Sequence, residues 1–310
     1  MHILIVGPGA LGGLLAAILT MGRSGDDTIS LLDYNQSRAE EINRNGLRYE
    51  KAGKEKIFNV EVFAEPKDIG HVDALFLCVK SYDVQKSLQF CAPLLHPDCL
   101  VIFMQNGIAH LKQEKYVREA GAVFGTTTEG STCHGPGRIF HAGVGRSFLG
   151  FQYTPTAKQQ QLLGQVVARM ESGGMVAEIT HSIGNRIWAK LFINVGINAL
   201  TVINNCRNGD LLTIPKALEQ MRAAIEEAET VAAAEKISVS TPLEDTIGVC
   251  RATAANVSSM LQDVRKKRKT EIEAINGEIV SLAKRHGLSA PMNTLLVDQV
   301  KEIERRYASA

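Results

Sequence analysis

The sequence predicts two domains, an α/β domain built on a parallel sheet and, after it, an all-helical one. Three observations carry that expectation. The chain has 310 residues, more than one small core organises, since single cores stop growing near ~250 to 300 residues. Its first half alternates short β-branched runs with helical stretches, the pattern of stacked βαβ units. Beyond about residue 180 strand signals fade and long helical periods take over. With 45% hydrophobic and 22% charged residues, the composition is that of a globular protein and excludes a disordered or collagenous chain.

Taken in order, Ile3 to Val6 reads as a buried strand, Leu11 to Met21 as a helix, Thr28 to Leu32 as a second strand and Ser37 to Asn45 as a second helix. Residues 47 to 64 alternate less regularly. Leu75 to Val79 and Leu100 to Phe103 are continuous apolar runs, as strands covered on both faces require. The glycine-rich stretch from Val123 to Phe151 reads as hairpins closing the domain. We place the boundary so that residues 1–178 form the first domain and 179–310 the second. There Leu218, Met221, Ile225, Ala228 and Ala232 recur at helical spacing and predict one buried stripe of a long helix.

Bulk charge points to no partner: 34 Lys plus Arg against 33 Asp plus Glu leave +1, so no whole-protein field for nucleic acid or a membrane surface exists. Six scattered cysteines without C-x-x-C or zinc spacing read as reduced thiols of a cytoplasmic protein. Residues 3 to 22 carry no charge, but Gly7, Pro8, Gly9, Gly12 and Gly13 interrupt them, against a signal peptide or membrane span. The histidines lack H-E-x-x-H, so no metal is expected. The chain is compatible with a homo-oligomer.

Gly7-Pro8-Gly9-Ala10-Leu11-Gly12 matches G-x-G-x-x-G, and it lies where that motif has meaning, between a strand and the helix it opens. Glycines let the turn tighten and the backbone approach a pyrophosphate, whose charge meets the helix's free N–H groups. Asp33 ends the second strand, about 20 residues on, where a carboxylate hydrogen-bonds the adenosine ribose. A Rossmann-type site for a nicotinamide dinucleotide follows. An acid at position 33 favours NADH; Arg38 is close enough in sequence to reach a 2′-phosphate and leaves NADPH open.

Between Ile187 and Leu200 only Lys190, Asn194 and Asn198 are strongly polar, and they are spaced by four. On a helix they share one face among Trp188, Leu191, Phe192 and Val195. Such a stripe must meet a ligand or partner, because unpaired buried amides cost several kcal/mol. A desolvated lysine has a lowered pKa and becomes a better proton donor to a carbonyl oxygen as hydride reaches the carbon. Asparagines beside it hold hydroxyls or a developing oxyanion. A second helical segment is expected to put Asn256 and Ser259 on one face, suited to a carboxylate. Glu271 and Glu273 follow, and either reads as an ordinary solvated helix residue, the default for Glu273.

These motifs resemble the 2-dehydropantoate 2-reductases, or ketopantoate reductases. The resemblance runs through Cys-Val-Lys80, Gln-Asn106-Gly107 and Gly125-Thr-Thr-Thr128, then Trp188-Ala-Lys190-Leu-Phe-Ile-Asn194, Asn198-Ala-Leu-Thr201, Asn208-Gly209, Asn256-Val-Ser-Ser259 and Thr270-Glu271 to Gly277. It implies NADPH-dependent reduction of 2-dehydropantoate to (R)-pantoate, on the way to pantothenate and coenzyme A, with the substrate in a cleft between a Rossmann-type and a helical domain. It implies Lys190 as catalytic acid with Glu271, and cofactor contacts from Gly7 to Gly12, Lys80, Asn106 and Glu271, with Ser131 a weaker match; the Asp33 contact comes from the motif reading above. Substrate contacts fall to Asn106, Asn194, Asn198, Asn208 and Ser259. NADPH-using members commonly carry arginine where this chain has Asp33. Rival readings are a reductase of another branched 2-oxo acid, or a protein that senses the dinucleotide without turnover.

One run remains. Arg265 to Lys269 is five consecutive basic residues, expected on a helix and read as a solvated face, without the aromatic interleaving of a nucleic-acid site.

Overall fold

A computed structural model describes residues 1–117 and 120–308. Its first unit comprises Met1–Gln105 and His110–Ile183, its second Asn106–Ala109 and Gly184–Ala310. The first runs β1 (His2–Val6), α1 (Ala10–Gly22), β2 (Thr28–Leu32), α2 (Gln36–Asn45), β3 (Leu47–Lys51), β4 (Lys54–Phe58), β5 (Glu61–Phe63), β6 (Ala74–Leu77), α3 (Val84–Cys91) and β7 (Leu100–Phe103). It continues with β8 (Gly121–Thr127), β9 (Gly130–Gly135), β10 (Arg138–Gly143), β11 (Arg146–Gly150), α4 (Ala157–Ser172) and β12 (Val176–Ile179).

An eight-stranded sheet has the order β12-β11-β8-β7-β6-β1-β2-β5. Strands from β8 to β5 in that order are mutually parallel, and β11 runs antiparallel to β8. Ile3 of β1 pairs with Ile29 and Ala74 on its two sides, in the centre of the sheet. The apolar runs of β1, β6 and β7 are buried on both faces, and Leu14, Leu15, Ile18 and Leu19 of α1 join the same core. Each such side chain contributes roughly 1.5–3 kcal/mol by leaving water.

The irregular stretch after residue 46 forms the hairpin β3–β4, which joins β9 and β10 in a second, four-stranded sheet of order β4-β3-β10-β9. Ile139 of that sheet packs on α1 at Gly13, where a Cβ would collide with it. Inside it the Tyr49 hydroxyl and the Glu129 carboxylate hydrogen-bond the two ring nitrogens of His141, at 2.8 and 2.6 Å.

The helical unit begins at Gly184, not at residue 179. Val176 to Ile179 still pair with β11 as a sheet edge. Its helices are α5 (Ile183–Asn204), α6 (Pro215–Ala234), α7 (Pro242–Ala252), α8 (Ser259–Arg265), α9 (Asn276–Arg285) and α10 (Pro291–Ala308). The expected stripe of α6 is buried at Met221, Ile225, Ala228 and Ala232. Among the described residues α5 alone is long and apolar enough to cross a membrane, and 67% of its apolar window is buried inside the protein.

Buried amides tie these helices together. Asn276 Nδ2 donates to the Val195 carbonyl at 3.3 Å and to Asn293 Oδ1 at 3.0 Å. Asn293 Nδ2 in turn donates to the Ala224 carbonyl at 3.0 Å and to Glu227 Oε2 at 2.7 Å. The basic run corrects its expectation: α8 ends at Arg265 and the following lysines turn away from it. Lys267 takes a left-handed φ of 54°, its N–H bonds Val264 O and the Arg268 N–H reaches back to Asp263 O. That closing geometry satisfies the last carbonyls of the helix, and Arg265 to Lys269 are all exposed.

Candidate active site

The glycine turn sits at the carboxyl end of β1. Gly7 has φ +86, and a Cβ there would stand 2.8 Å from the Val79 side chain. A Cβ on Gly12 would strike the Gly7 carbonyl oxygen, whereas one on Gly9 would have nothing within 4 Å. Two glycines therefore serve the protein's own packing. The third leaves its space open. No side chain caps α1, its first turn holds no acid, and its first internal bond runs from Gly13 N to Gly9 O at 2.9 Å. The amides before Gly13 lack intrahelical acceptors and face the positive end of the helix dipole, a fit for pyrophosphate.

Asp33 follows β2 as expected but is only 3% exposed. Its carboxylate accepts the Asn35 N–H at 3.0 Å and both Arg38 Nε and Nη2, at 2.8 and 2.6 Å. Asp33 in return raises the Arg38 pKa above its ordinary value. Lys80 follows β6 at the start of a short 3-10 turn, Ser81–Asp83. Ser131 lies on β9, opposite His141. Sequence reasoning missed Gln105, whose Nε2 donates to the carbonyls of Leu77 and Val79 at 2.6 and 3.2 Å and so ties the ends of β6 and β7.

The second cluster belongs to the helical unit. Lys190, Asn194 and Asn198 lie on successive turns of one face of α5. Burial pulls the Lys190 ammonium down to a pKa of about 8, and the Glu271 carboxylate opposes that fall. Glu271, 6% exposed, accepts a hydrogen bond from Asn106 Nδ2 at 3.1 Å. Asn106 reaches it because the segment after β7 joins this unit, where Gly107, at φ +79, passes against the Ala274 carbonyl.

Polar atoms without partners lie in the same unit. Asn194 Nδ2, Asn198 Nδ2 and Asn208 Oδ1 are buried and bonded to nothing in the protein. Natural proteins seldom leave such groups idle, since each costs on the order of 1–3 kcal/mol. Asn208 is fixed by its other amide atom, which donates to Thr253 Oγ1 at 2.9 Å.

One expectation fails here. Asn256 and Ser259 do not share a helical face: α7 ends at Ala252 and α8 starts only at Ser259. Ser258 caps α8 by accepting the Leu261 N–H at 3.1 Å, and a capping serine imposes extended backbone just before the helix. Ser258, not Ser259, is buried. It bonds Thr201 at 2.6 Å, whose hydroxyl donates to the Asn198 carbonyl. Ser259 is exposed in the first turn.

Comparison with known proteins identifies the relatives. Residues 3–152 match the family model described as ketopantoate reductase PanE/ApbA, and residues 182–304 match its C-terminal counterpart. The chain belongs to the ketopantoate reductase family. It is 31% identical to the 2-dehydropantoate 2-reductase of Halobacterium salinarum over 98% of this chain and 99% of that protein. It is also 31% identical to that of Archaeoglobus fulgidus, over 97% of both. Among solved structures, a PanE/ApbA family ketopantoate reductase from Ralstonia eutropha aligns at a TM-score of 0.87, 25% identity and coverage of 99% and 100%. D-mandelate dehydrogenase in a ternary structure with NADH and anilino(oxo)acetate aligns at 0.90, with the same identity and coverage. The family is one of dinucleotide-dependent reductases, so the chain is an oxidoreductase acting on the carbonyl of a keto acid.

Proposed function

We propose that the protein reduces 2-dehydropantoate to (R)-pantoate, with NAD(P)H bound at the Gly7 to Gly12 turn and the oxo acid held by α5. The observation that carries this reading is Lys190 drawn down to about 8 beside Glu271, with unpartnered amide groups on Asn194, Asn198 and Asn208. A nicotinamide dinucleotide held at the Gly7 to Gly12 turn would supply the hydride for C2. Lys190 gives the carbonyl oxygen a proton, leaves as a neutral amine and regains its proton from solvent. The free N–H groups of Asn194 and Asn198 are suited to the charge that grows on oxygen before that proton arrives. Glu271, held by Asn106, keeps the ammonium charged at neutral pH.

Steady-state assays following nicotinamide absorbance, with 2-dehydropantoate beside other branched and aromatic 2-oxo acids, test the reading. The highest kcat/KM is expected for 2-dehydropantoate. Should phenylglyoxylate, the oxo acid of mandelate, be preferred, the second reading supported by the likeness to D-mandelate dehydrogenase replaces it. No turnover of any oxo acid with either dinucleotide rejects both.

The pH dependence carries a sign. The acid works in its protonated form, so kcat/KM falls as pH rises through about 8. Since Glu271 raises the Lys190 pKa against burial, Glu271→Gln moves that falling limb to lower pH. A limb that stays in place would remove Glu271 from this role.

A further inference from the structure

Lys190 and Glu271 come from different elements of the helical unit, so something must set their spacing. Asn106 steadies the Glu271 carboxylate, but the backbone beneath it needs its own anchor. At the front of that segment the Thr270 N–H donates to Glu304 Oε1 at 2.6 Å. Behind it the chain is wound tight, with the N–H groups of Ala274 and Ile275 on the Glu271 carbonyl at 3.0 and 3.2 Å. The next residue is Asn276. Val195 lies five residues beyond Lys190 and Asn276 five beyond Glu271, and these two positions are joined by the bond from Asn276 Nδ2 to the Val195 carbonyl. That bond ties the helix of the ammonium to the segment of the carboxylate, at the same remove from each.

Asn276 is itself held in orientation. Its amide donates to Val195 and to Asn293 Oδ1, and Asn293 is pinned in turn by Glu227. That carboxylate leaves α6 to accept the N–H groups of Met292 and Asn293, at 2.7 and 2.9 Å, and the Asn293 side chain at 2.7 Å. The two backbone donors belong to the first turn of α10, where no helical acceptor exists. Asn276 and Asn293 are both fully buried, yet Asn276 Oδ1 has no partner in the protein. A buried acceptor left unmet costs stability, a cost an apolar side chain of similar size would not carry. As packing, then, an amide is a poor choice here; as a pair of directional donors it fixes geometry. Among the acids of this region, Glu273 pairs with Lys301 and Glu304 accepts from Thr270, while Glu271 acts on Lys190.

We propose, given Lys190 as the acid of the reaction, that Asn276 is a positioning residue for the Lys190–Glu271 pair, holding the carboxylate segment in register with α5 through a chain of bonds that begins at Glu227. Its influence on the reaction passes through Glu271.

The pH dependence of kcat/KM in Asn276→Leu, which keeps the volume and removes the donors, separates this role from packing. Burial lowers Lys190 and Glu271 raises it. If Asn276 only fills space, leucine serves as well and the falling limb stays where it is. If its loss lets water in, burial is relieved and the limb moves to higher pH. If Asn276 holds Glu271 in place, the carboxylate drifts, its support of the ammonium weakens, and the limb moves to lower pH, by less than in Glu271→Gln. Asn293→Leu, which leaves Asn276 present but unbraced, is expected to shift the limb the same way and by a smaller amount. In the double variant Asn276→Leu/Glu271→Gln the two shifts should not add, because one acts through the other. Profiles are taken on the whole protein well below each variant's Tm. A limb that stays, rises, or adds its shift to that of Glu271→Gln overturns the assignment. Should Glu271→Gln alone leave the limb in place, the pairing with Lys190 falls first and this role with it; a limb moved by Glu271→Gln but by neither leucine variant rejects the positioning role alone.

Discussion

Replacing Lys190 with alanine is expected to lower kcat by about 10²–10⁴, the usual worth of a positioned general acid, equivalent to roughly 3–5 kcal/mol of transition-state stabilisation. Dinucleotide affinity should stay within about twofold, because the coenzyme turn and Lys190 belong to separate units of the chain. The more telling variant is Lys190→Arg. It keeps a positive charge, but a guanidinium does not deprotonate in proteins and transfers a proton poorly. If Lys190 acts as a field alone, arginine restores much of the rate. As proton donor it leaves arginine nearly as slow as alanine, and the alkaline limb near 8 disappears in both. Stopped-flow single turnovers separate the chemical step from product release. Full activity in Lys190→Arg would overturn proton donation.

The polar face of α5 was legible as a candidate site because polar residues at a four-residue spacing in an apolar helix have few physical explanations. The structure adds the partnerless amide atoms of Asn194 and Asn198, which is a statement about neighbours that spacing does not contain. Asn276 and Asn293 were unreadable for the converse reason. Each is a single buried amide whose partners lie on other helices, at separations of 17 to 81 residues. Asp33 shows the limit from another side. Its place at the end of β2 follows from the strand pattern, but its pairing to Arg38, five residues on, depends on how the loop folds back onto α2. The parallel strands came through clearly because full burial on both faces leaves unbroken apolar runs. The small sheet did not, since three of its strands have only a few buried side chains.

The glycine turn yields the second large effect, a contrast between two single methyl groups. Gly9→Ala places its Cβ in space the protein does not use, and the backbone there, φ -76 and ψ -156, suits any L-residue. Stability should change by less than about 0.5 kcal/mol, as for an unconstrained surface change. The methyl would nonetheless occupy the approach of the pyrophosphate to the α1 amides, so dinucleotide affinity should fall about tenfold or more, one charge-assisted hydrogen bond's worth. Gly12→Ala meets the reverse balance. Alanine gains roughly 1 kcal/mol over glycine in a helix interior, but its Cβ runs into the Gly7 carbonyl, and overpacking of this kind costs about 1–3 kcal/mol. Backbone cannot swing aside as a side chain end does, so the clash should win and Tm fall by several degrees, at roughly 2–4 °C per kcal/mol for a domain of this size. Thermal melts and coenzyme fluorescence titrations on the two variants read both quantities. An intact affinity in Gly9→Ala would mean that no phosphate approaches this turn, and the coenzyme would have to be placed elsewhere in the first unit.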